Sequence, residues 1–232
     1  MRVLIPLAGP DFELEDGSTR AERIVFGKPL LRLALESRSW WQGDNGTTAS
    51  DLVFILRDRP ASRRFGETIL VGWFPGCRTI FLGDFTGGAA YTVLAGLAFG
   101  DGDGPICIDL ADILFTDSAD PVRAFREDSS LGGLLLTFPS SNPAYSYARC
   151  GDAGRVLQTA EKRVISDHAS AGVYFFRDAL TLLRAIAHSI ENKATLACNG
   201  LLYACPLFNG VIAHGKTVRI SPVSDVHDIK VA

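Results

Sequence analysis

Four short apolar runs, at residues 3–7, 52–56, 79–82 and 106–110, constrain the fold of this chain more than any other feature. Each is four or five residues long and bounded by turn residues, the pattern of strands buried on both faces of a parallel sheet. Between them lie stretches 29–37, 61–71 and 89–99, with apolar residues at helical spacing. Strand, helix, strand repeated along the first half predicts right-handed crossovers and a doubly wound sheet. Residues 38–50, with Gly43, Asp44, Asn45, Gly46 and Thr47, read as a polar surface loop.

The pattern changes after Asp112. Residues 131–138, 145–149, 155–159 and 171–176 read as strands linked by Ser140-Ser141-Asn142-Pro143 and Gly151-Asp152-Ala153-Gly154 turns, hence as antiparallel additions to the sheet. Residues 176–190 read as a helix with Leu180, Leu183, Ile186 and Ile190 on one face, and 199–212 as a further helix. The expectation is an α/β fold over residues 1–232 as a single domain, with a mixed, mostly parallel sheet.

Composition narrows the partners. A chain of 232 residues buries about 70% of its extended surface, so its core needs no disulfide or metal staple. The net charge of −3, from 23 Lys and Arg against 26 Asp and Glu, argues against nucleic acid or an anionic membrane as the main partner and leaves room for a small basic pocket. The five cysteines, Cys77, Cys107, Cys150, Cys198 and Cys205, contain no C-x-x-C pair and read as reduced thiols of a cytoplasmic protein. The apolar start at residues 1–7 lacks a cationic lead-in and runs into Asp11, Glu13, Glu15 and Asp16, unlike a signal peptide, and no run of about 18 apolar residues follows.

Ligands of open parallel sheets sit beyond the carboxyl ends of strands. Leu7-Ala8-Gly9-Pro10 follows the first run as a small-residue turn, which either admits a flat or phosphorylated ligand or is simply tight. Thr86-Gly87-Gly88-Ala89-Ala90 follows the third run and opens a helix, where missing side-chain bulk suits either a base or phosphate, or close packing. Asp109-Leu110-Ala111-Asp112 ends the fourth run, and a carboxylate there either holds a metal or caps a turn. Glu161-Lys162 is, taken alone, a solvated ion pair. The histidines at 168, 188, 214 and 227 lack metal spacing. No G-x-S-x-G, Walker A or H-E-x-x-H sequence occurs.

In combination these segments resemble the sugar-phosphate nucleotidyltransferases. The resemblance runs through Leu7-Ala8-Gly9, Gly87-Gly88-Ala89-Ala90 and the apolar strand ending at Asp112. Its most specific parts are Ser141-Asn142-Pro143-Ala144-Tyr145-Ser146-Tyr147, Ala160-Glu161-Lys162 and Gly172-Val173-Tyr174. Tyr203-Ala204-Cys205-Pro206-Leu207-Phe208-Asn209 resembles a segment of the branch that includes cytidylyltransferases of capsule and phosphocholine pathways.

The resemblance implies a three-layer, Rossmann-like GT-A fold with a nucleotide-binding half at 1–117 and an acceptor-binding half at 118–232. It implies that Leu7, Ala8, Gly9, Gly88 and Ala89 meet the nucleotide, and that Asp112 and Asp228 hold Mg²⁺. Lys162 would bind the acceptor phosphate, with Glu161 and Gly172 near its sugar or polyol part. Arg20 or Lys28 would supply the basic residue of the triphosphate loop, although Gly27-Lys28-Pro29-Leu30-Leu31 also matches a segment that merely starts a helix. The implied partners are a nucleoside triphosphate and a small phosphorylated acceptor, with a homo-oligomer left open, and the implied activity serves nucleotide-sugar synthesis for surface polysaccharide. The loop Pro10-Asp11-Phe12-Glu13-Leu14-Glu15-Asp16-Gly17-Ser18-Thr19-Arg20 departs from the family in its four acids, and Phe85 stands where a base-reading Gln is common. Two alternatives stand beside this reading: a degenerate member that binds a nucleotide without turnover, for which the altered loop speaks, and a GT-A glycosyltransferase, for which Asp109 and Asp112 are one residue too far apart.

Overall fold

Alternation of apolar runs and helical stretches becomes a sheet between two helical layers in a computed structural model that describes residues 1–42, 47–99 and 104–228. The strands are β1 (Arg2–Pro6), β2 (Ile24–Val25), β3 (Lys28–Pro29), β4 (Leu52–Arg57), β5 (Arg78–Leu82), β6 (Ile106–Asp109) and β7 (Ile113–Thr116) in the first half. In the second half they are β8 (Leu131–Pro139), β9 (Tyr147–Cys150), β10 (Val156–Ala160), β11 (His168–Phe176), β12 (Thr217–Pro222) and β13 (Ser224–Asp228). The helices are α1 (Leu30–Glu36), α2 (Ser39–Gln42), α3 (Pro60–Arg64), α4 (Leu70–Trp73), α5 (Ala89–Leu97), α6 (Pro121–Glu127), α7 (Ala179–Glu191), α8 (Lys193–Leu196) and α9 (Leu207–Ala213). A π-helical stretch, Phe65–Ile69, joins α3 to α4.

Among the described residues the main sheet has nine strands, in the order β10-β9-β11-β6-β1-β4-β5, with β8 paired to β11 and β12 to β8. Strands β5, β4, β1 and β6 are mutually parallel. Strand β11 is antiparallel to β6, β8 and β9, and β12 returns parallel to β8. The fold is therefore α/β, with a mostly parallel first half and antiparallel strands in the second. Strands β7 and β13 form a separate antiparallel pair.

Three of the four apolar runs, in β1, β4 and β6, bury both faces, and the third, in β5, is a half-buried edge strand. Successive strand side chains point to opposite sides, and Val3, Ile5, Leu52, Phe54 and Leu56 pack with Leu31 and Leu35 of α1 in one buried cluster. Leu4, Val53, Ile55 and Ile108 pack on the other face with Val93 of α5 and Ile186 of α7. Each fully buried Leu, Ile, Val or Phe contributes about 1.5–3 kcal/mol relative to exposure. The chain passes from β1 to β4 and β5 on one side, then returns to β6 on the other. The reversal opens a crevice at the carboxyl ends of β1 and β6.

Three expectations need correction. The segment expected as a polar surface loop at 38–50 begins with Arg38 and Trp40, both fully buried, and Ser39–Gln42 is helical. Gly43, Asp44, Asn45 and Gly46 lie outside the described residues. On α7 the buried side is Leu182, Ala185, Ile186 and Ser189, whereas Leu180, Leu183 and Ile190 are exposed. The helix expected at 199–212 is confined to α9, because Asn199 and Gly200 adopt positive φ of 50° and 76° and turn the chain. Among the described residues no helix is long and apolar enough to cross a membrane.

Candidate active site

A cleft of roughly 320 Å³ opens at the crevice between β1 and β6. Eight of the residues expected at a site line it: Leu7, Gly9, Arg20, Ala89, Asp112, Glu161, Lys162 and Gly172. Ala8 is buried and Gly88 caps α5 just outside the lining. Lys28 does not line the cleft: it precedes α1 in β3, with its ammonium 3.4 Å from Glu36 at the surface. Asp228 lies in β13, where its carboxylate accepts a hydrogen bond of 2.7 Å from the Tyr145 hydroxyl, and it is Tyr145 that reaches the cleft.

Asp112 is placed by a left-handed residue in its own turn and by a glycine across the cleft. Ala111 takes a left-handed φ of 52°, stabilised by its amide donating to Asp109 Oδ1 at 2.8 Å. Across the cleft β11 carries Gly172 at φ +79°, where a Cβ would stand 3.0 Å from Asp112 Oδ1. The register of β11 against β8 shifts between Ser170 and Tyr174, so Gly172 sits in a bulge, and its carbonyl accepts from the Leu110 amide at 3.0 Å. Glycine within a strand commonly marks such a close approach. Asp109 points the other way, fully buried against Arg38. It does not join Asp112 in a two-carboxylate site, which disfavours the glycosyltransferase alternative.

Of the two uses open to Gly87 and Gly88, close packing is the one seen in the structure. Gly88 caps α5 with φ 117° and ψ 176°, and a Cβ there would lie 2.3 Å from the Leu202 carbonyl oxygen. Leu202 is fixed against this turn, donating to Gly87 O at 2.8 Å and accepting from the Ala90 amide at 3.0 Å. Gly88→Ala is expected to destabilise the fold by about 1–3 kcal/mol, since that backbone region is essentially restricted to glycine. Urea unfolding measures this, and an unchanged midpoint would contradict the close packing.

Glu161 and Lys162 follow β10, with Lys162 at a left-handed φ of 48°. Glu161 accepts a 2.5 Å hydrogen bond from the Ser146 hydroxyl, and the Lys162 ammonium lies 5.5 Å from the centre of the Tyr203 ring. Tyr145, Ser146, Ser170, Tyr174 and Tyr203 give this end of the cleft a hydroxyl-rich lining. Burial, and then the Asp228 carboxylate, hold the Tyr145 hydroxyl above its ordinary pKa. Burial likewise pushes the Cys107 and Cys205 thiols well up, so neither is a thiolate nucleophile at neutral pH.

The acidic loop distributes its charges away from the cleft, with one exception. Glu13 is bonded to Arg57 at 3.2 Å and to the Ser62 hydroxyl at 2.8 Å. Asp16 accepts from the Ser18 hydroxyl, which holds its carboxyl below the ordinary range, and Glu15 is exposed. Asp11 alone enters the lining, paired with Arg20 at 2.7 Å.

Among the described residues no group of three or more His, Cys, Asp and Glu is placed to hold a metal. A single carboxylate at a cleft nevertheless suits Mg²⁺, which commonly binds one or two carboxylates together with substrate phosphates and water. Asp112, brought against Gly172 with no intervening side chain, fits that role.

No protein-family model and no curated protein matches this chain. Solved structures do. A nucleoside-diphosphate-sugar pyrophosphorylase from Vibrio cholerae RC9 is 24% identical, covering 99% of this chain and 95% of that one, with a TM-score of 0.79. A putative glucose-1-phosphate thymidylyltransferase from Bacillus anthracis is 17% identical over 98% of this chain and 89% of its own, with a TM-score of 0.71. The inositol-1-phosphate CTP transferase from T. maritima is 14% identical over 97% and 86%, with a TM-score of 0.65. The chain thus has the fold of the sugar-phosphate nucleotidyltransferases along nearly its whole length.

Proposed function

We propose that this protein is a Mg²⁺-dependent nucleotidyltransferase that couples a nucleoside triphosphate to a sugar phosphate or another small phosphorylated acceptor, releasing pyrophosphate. The observation that carries the reading is the convergence of Asp112, Glu161, Lys162 and Gly172 in one cleft at the sheet's switch point. Residues 1–117 form the nucleotide half, with Leu7, Ala8 and Gly9 and the Gly88-Ala89 turn against base and ribose. Residues 118–232 form the acceptor half, where Lys162 pairs with the acceptor phosphate and Glu161 and the Gly172 backbone meet its hydroxyls.

An oxygen of the acceptor phosphate forms a bond to the α-phosphorus as the bond to the pyrophosphate oxygen breaks. The chain contributes position and charge to this exchange, and no protein nucleophile enters it. Asp112 would hold Mg²⁺, which when bound offsets negative charge on the triphosphate. Arg20 reaches the cleft whereas Lys28 is turned to Glu36, so Arg20 takes the basic role of the triphosphate loop.

The test is pyrophosphate release with CTP, UTP, dTTP, ATP and GTP against phosphorylated sugars, polyols and amino-acid derivatives in the presence of Mg²⁺. Release that requires both substrates is expected for at least one pair. A second reading, nucleotide binding without turnover, is favoured by one observation: the Arg20 guanidinium is engaged by Asp11 inside the cleft. Triphosphate binding with no release across the panel would select it.

A further inference from the structure

The segment from Leu202 to Asn209 joins the two ends of the cleft. On the nucleotide side, the Leu202 backbone is bonded to Gly87 and Ala90. On the acceptor side, the Asn209 amide pairs with the edge of β10 as a strand would: its Oδ1 accepts from the Thr159 amide at 2.9 Å and its Nδ2 donates to the Thr159 carbonyl at 2.9 Å. The Thr159 hydroxyl adds a 2.9 Å bond to the Cys205 carbonyl. Tyr203 is thereby held between two anchored points, beside the turn that follows β10.

That turn is where Lys162 sits in a left-handed conformation with its ammonium 5.5 Å from the Tyr203 ring centre. A cation within about 6 Å of an aromatic face is attracted by the ring quadrupole. A lysine chain otherwise samples many rotamers, and a ring on an anchored segment restricts that freedom before any anion arrives.

We propose that Tyr203 is a positioning residue, whose ring holds the Lys162 ammonium over the cleft ready for a phosphate. The proposal rests on the acceptor-phosphate role assigned to Lys162 above. It concerns the ring face and not the hydroxyl, so Tyr203→Phe and Tyr203→Leu should behave differently.

The lysines are reductively methylated with ¹³C-formaldehyde, a change that retains the charge, and the Lys162 resonance is assigned by its loss in Lys162→Arg. The expected result is an upfield ring-current position in wild type and Tyr203→Phe, lost in Tyr203→Leu. Titration with inorganic phosphate should move the resonance, with the affinity of Tyr203→Leu weakened on the order of tenfold and that of Tyr203→Phe close to wild type. Where the pyrophosphate assay has found an active pair, Tyr203→Leu should raise the acceptor KM by a similar factor with kcat little changed. A Lys162 resonance in wild type with no upfield displacement overturns the proposal, as does phosphate affinity equal in Tyr203→Leu and wild type, or a Tyr203→Phe as impaired as Tyr203→Leu. Absence of turnover in wild type, with the resonance displaced and phosphate-sensitive, would defeat the transferase reading and leave the role of Tyr203 standing.

Discussion

Asp112→Asn is expected to lower kcat/KM by roughly two decades or more, about 3 kcal/mol of transition-state stabilisation, while leaving the unfolding midpoint near that of wild type. The substitution keeps the size of the side chain in the space left by Gly172, so the close approach across the cleft survives. What it removes is the negative charge on which Mg²⁺ binding would depend. Lys162→Ala should lose a comparable factor for a different reason, because it deletes the cation that pairs with the acceptor phosphate. The two differ in their signatures: excess Mg²⁺ should recover part of the Asp112→Asn deficit and none of the Lys162→Ala deficit. Initial rates across a Mg²⁺ series measure this, and activity within a few fold of wild type in both variants would remove these residues from the site.

How far the chain could be read without its structure depends on the range of each interaction. Strands β1, β4 and β6 were legible because their burial on both faces leaves uninterrupted apolar runs. Asp112 stood out by its place at a strand end with its role left open, and Gly172 only through family resemblance, since what joins them is an approach between β11 and the turn after β6 that no local pattern encodes.

The buried face of α7 was misread by counting leucines. It packs against α9 through small residues, and a Cβ on Gly210 would stand 2.7 Å from the Ala185 Cα. Close contact of this kind selects a small residue at 185 and sets the side that faces α9, which carries Leu182, Ile186 and Ser189 inward and leaves Leu180 and Leu183 outside. Tyr203 was hidden because 199–206 seemed part of a helix, whereas two positive-φ residues make it a loop that crosses the cleft. The four acids of the 10–20 loop looked unfavourable beside a triphosphate, yet Glu13 serves Arg57 and Ser62 and Asp16 serves Ser18, which leaves Asp11 alone at the cleft.

Arg38→Ala is the substitution expected to cost most in stability, about 3–5 kcal/mol, because it strands the fully buried Asp109 carboxylate. Arg38 Nε donates to Asp109 Oδ2 at 2.8 Å, Nη2 donates to Asp109 Oδ1 at 3.2 Å and to the Ile113 carbonyl at 3.0 Å, and the guanidinium carbon lies 4.0 Å from the Phe115 ring centre. One side chain therefore ties the residue before the Leu110-Ala111-Asp112 turn to the residue after it. Replacing both charges, as Arg38→Met with Asp109→Leu, removes the stranded ion and should recover part of the loss. Recovery stays incomplete because the Ala111 amide and the Ile113 carbonyl each lose a partner, at about 1–3 kcal/mol for a buried group left unsatisfied. Guanidinium unfolding should accordingly rank wild type above the double variant and the double variant above Arg38→Ala. A cost within about 0.5 kcal/mol for Arg38→Ala, the range of an ordinary surface change, would mean that the pair does not hold the turn. With the order as expected, the rigidity of the turn bearing Asp112 comes from a residue in a segment that the sequence pattern alone assigns to the surface.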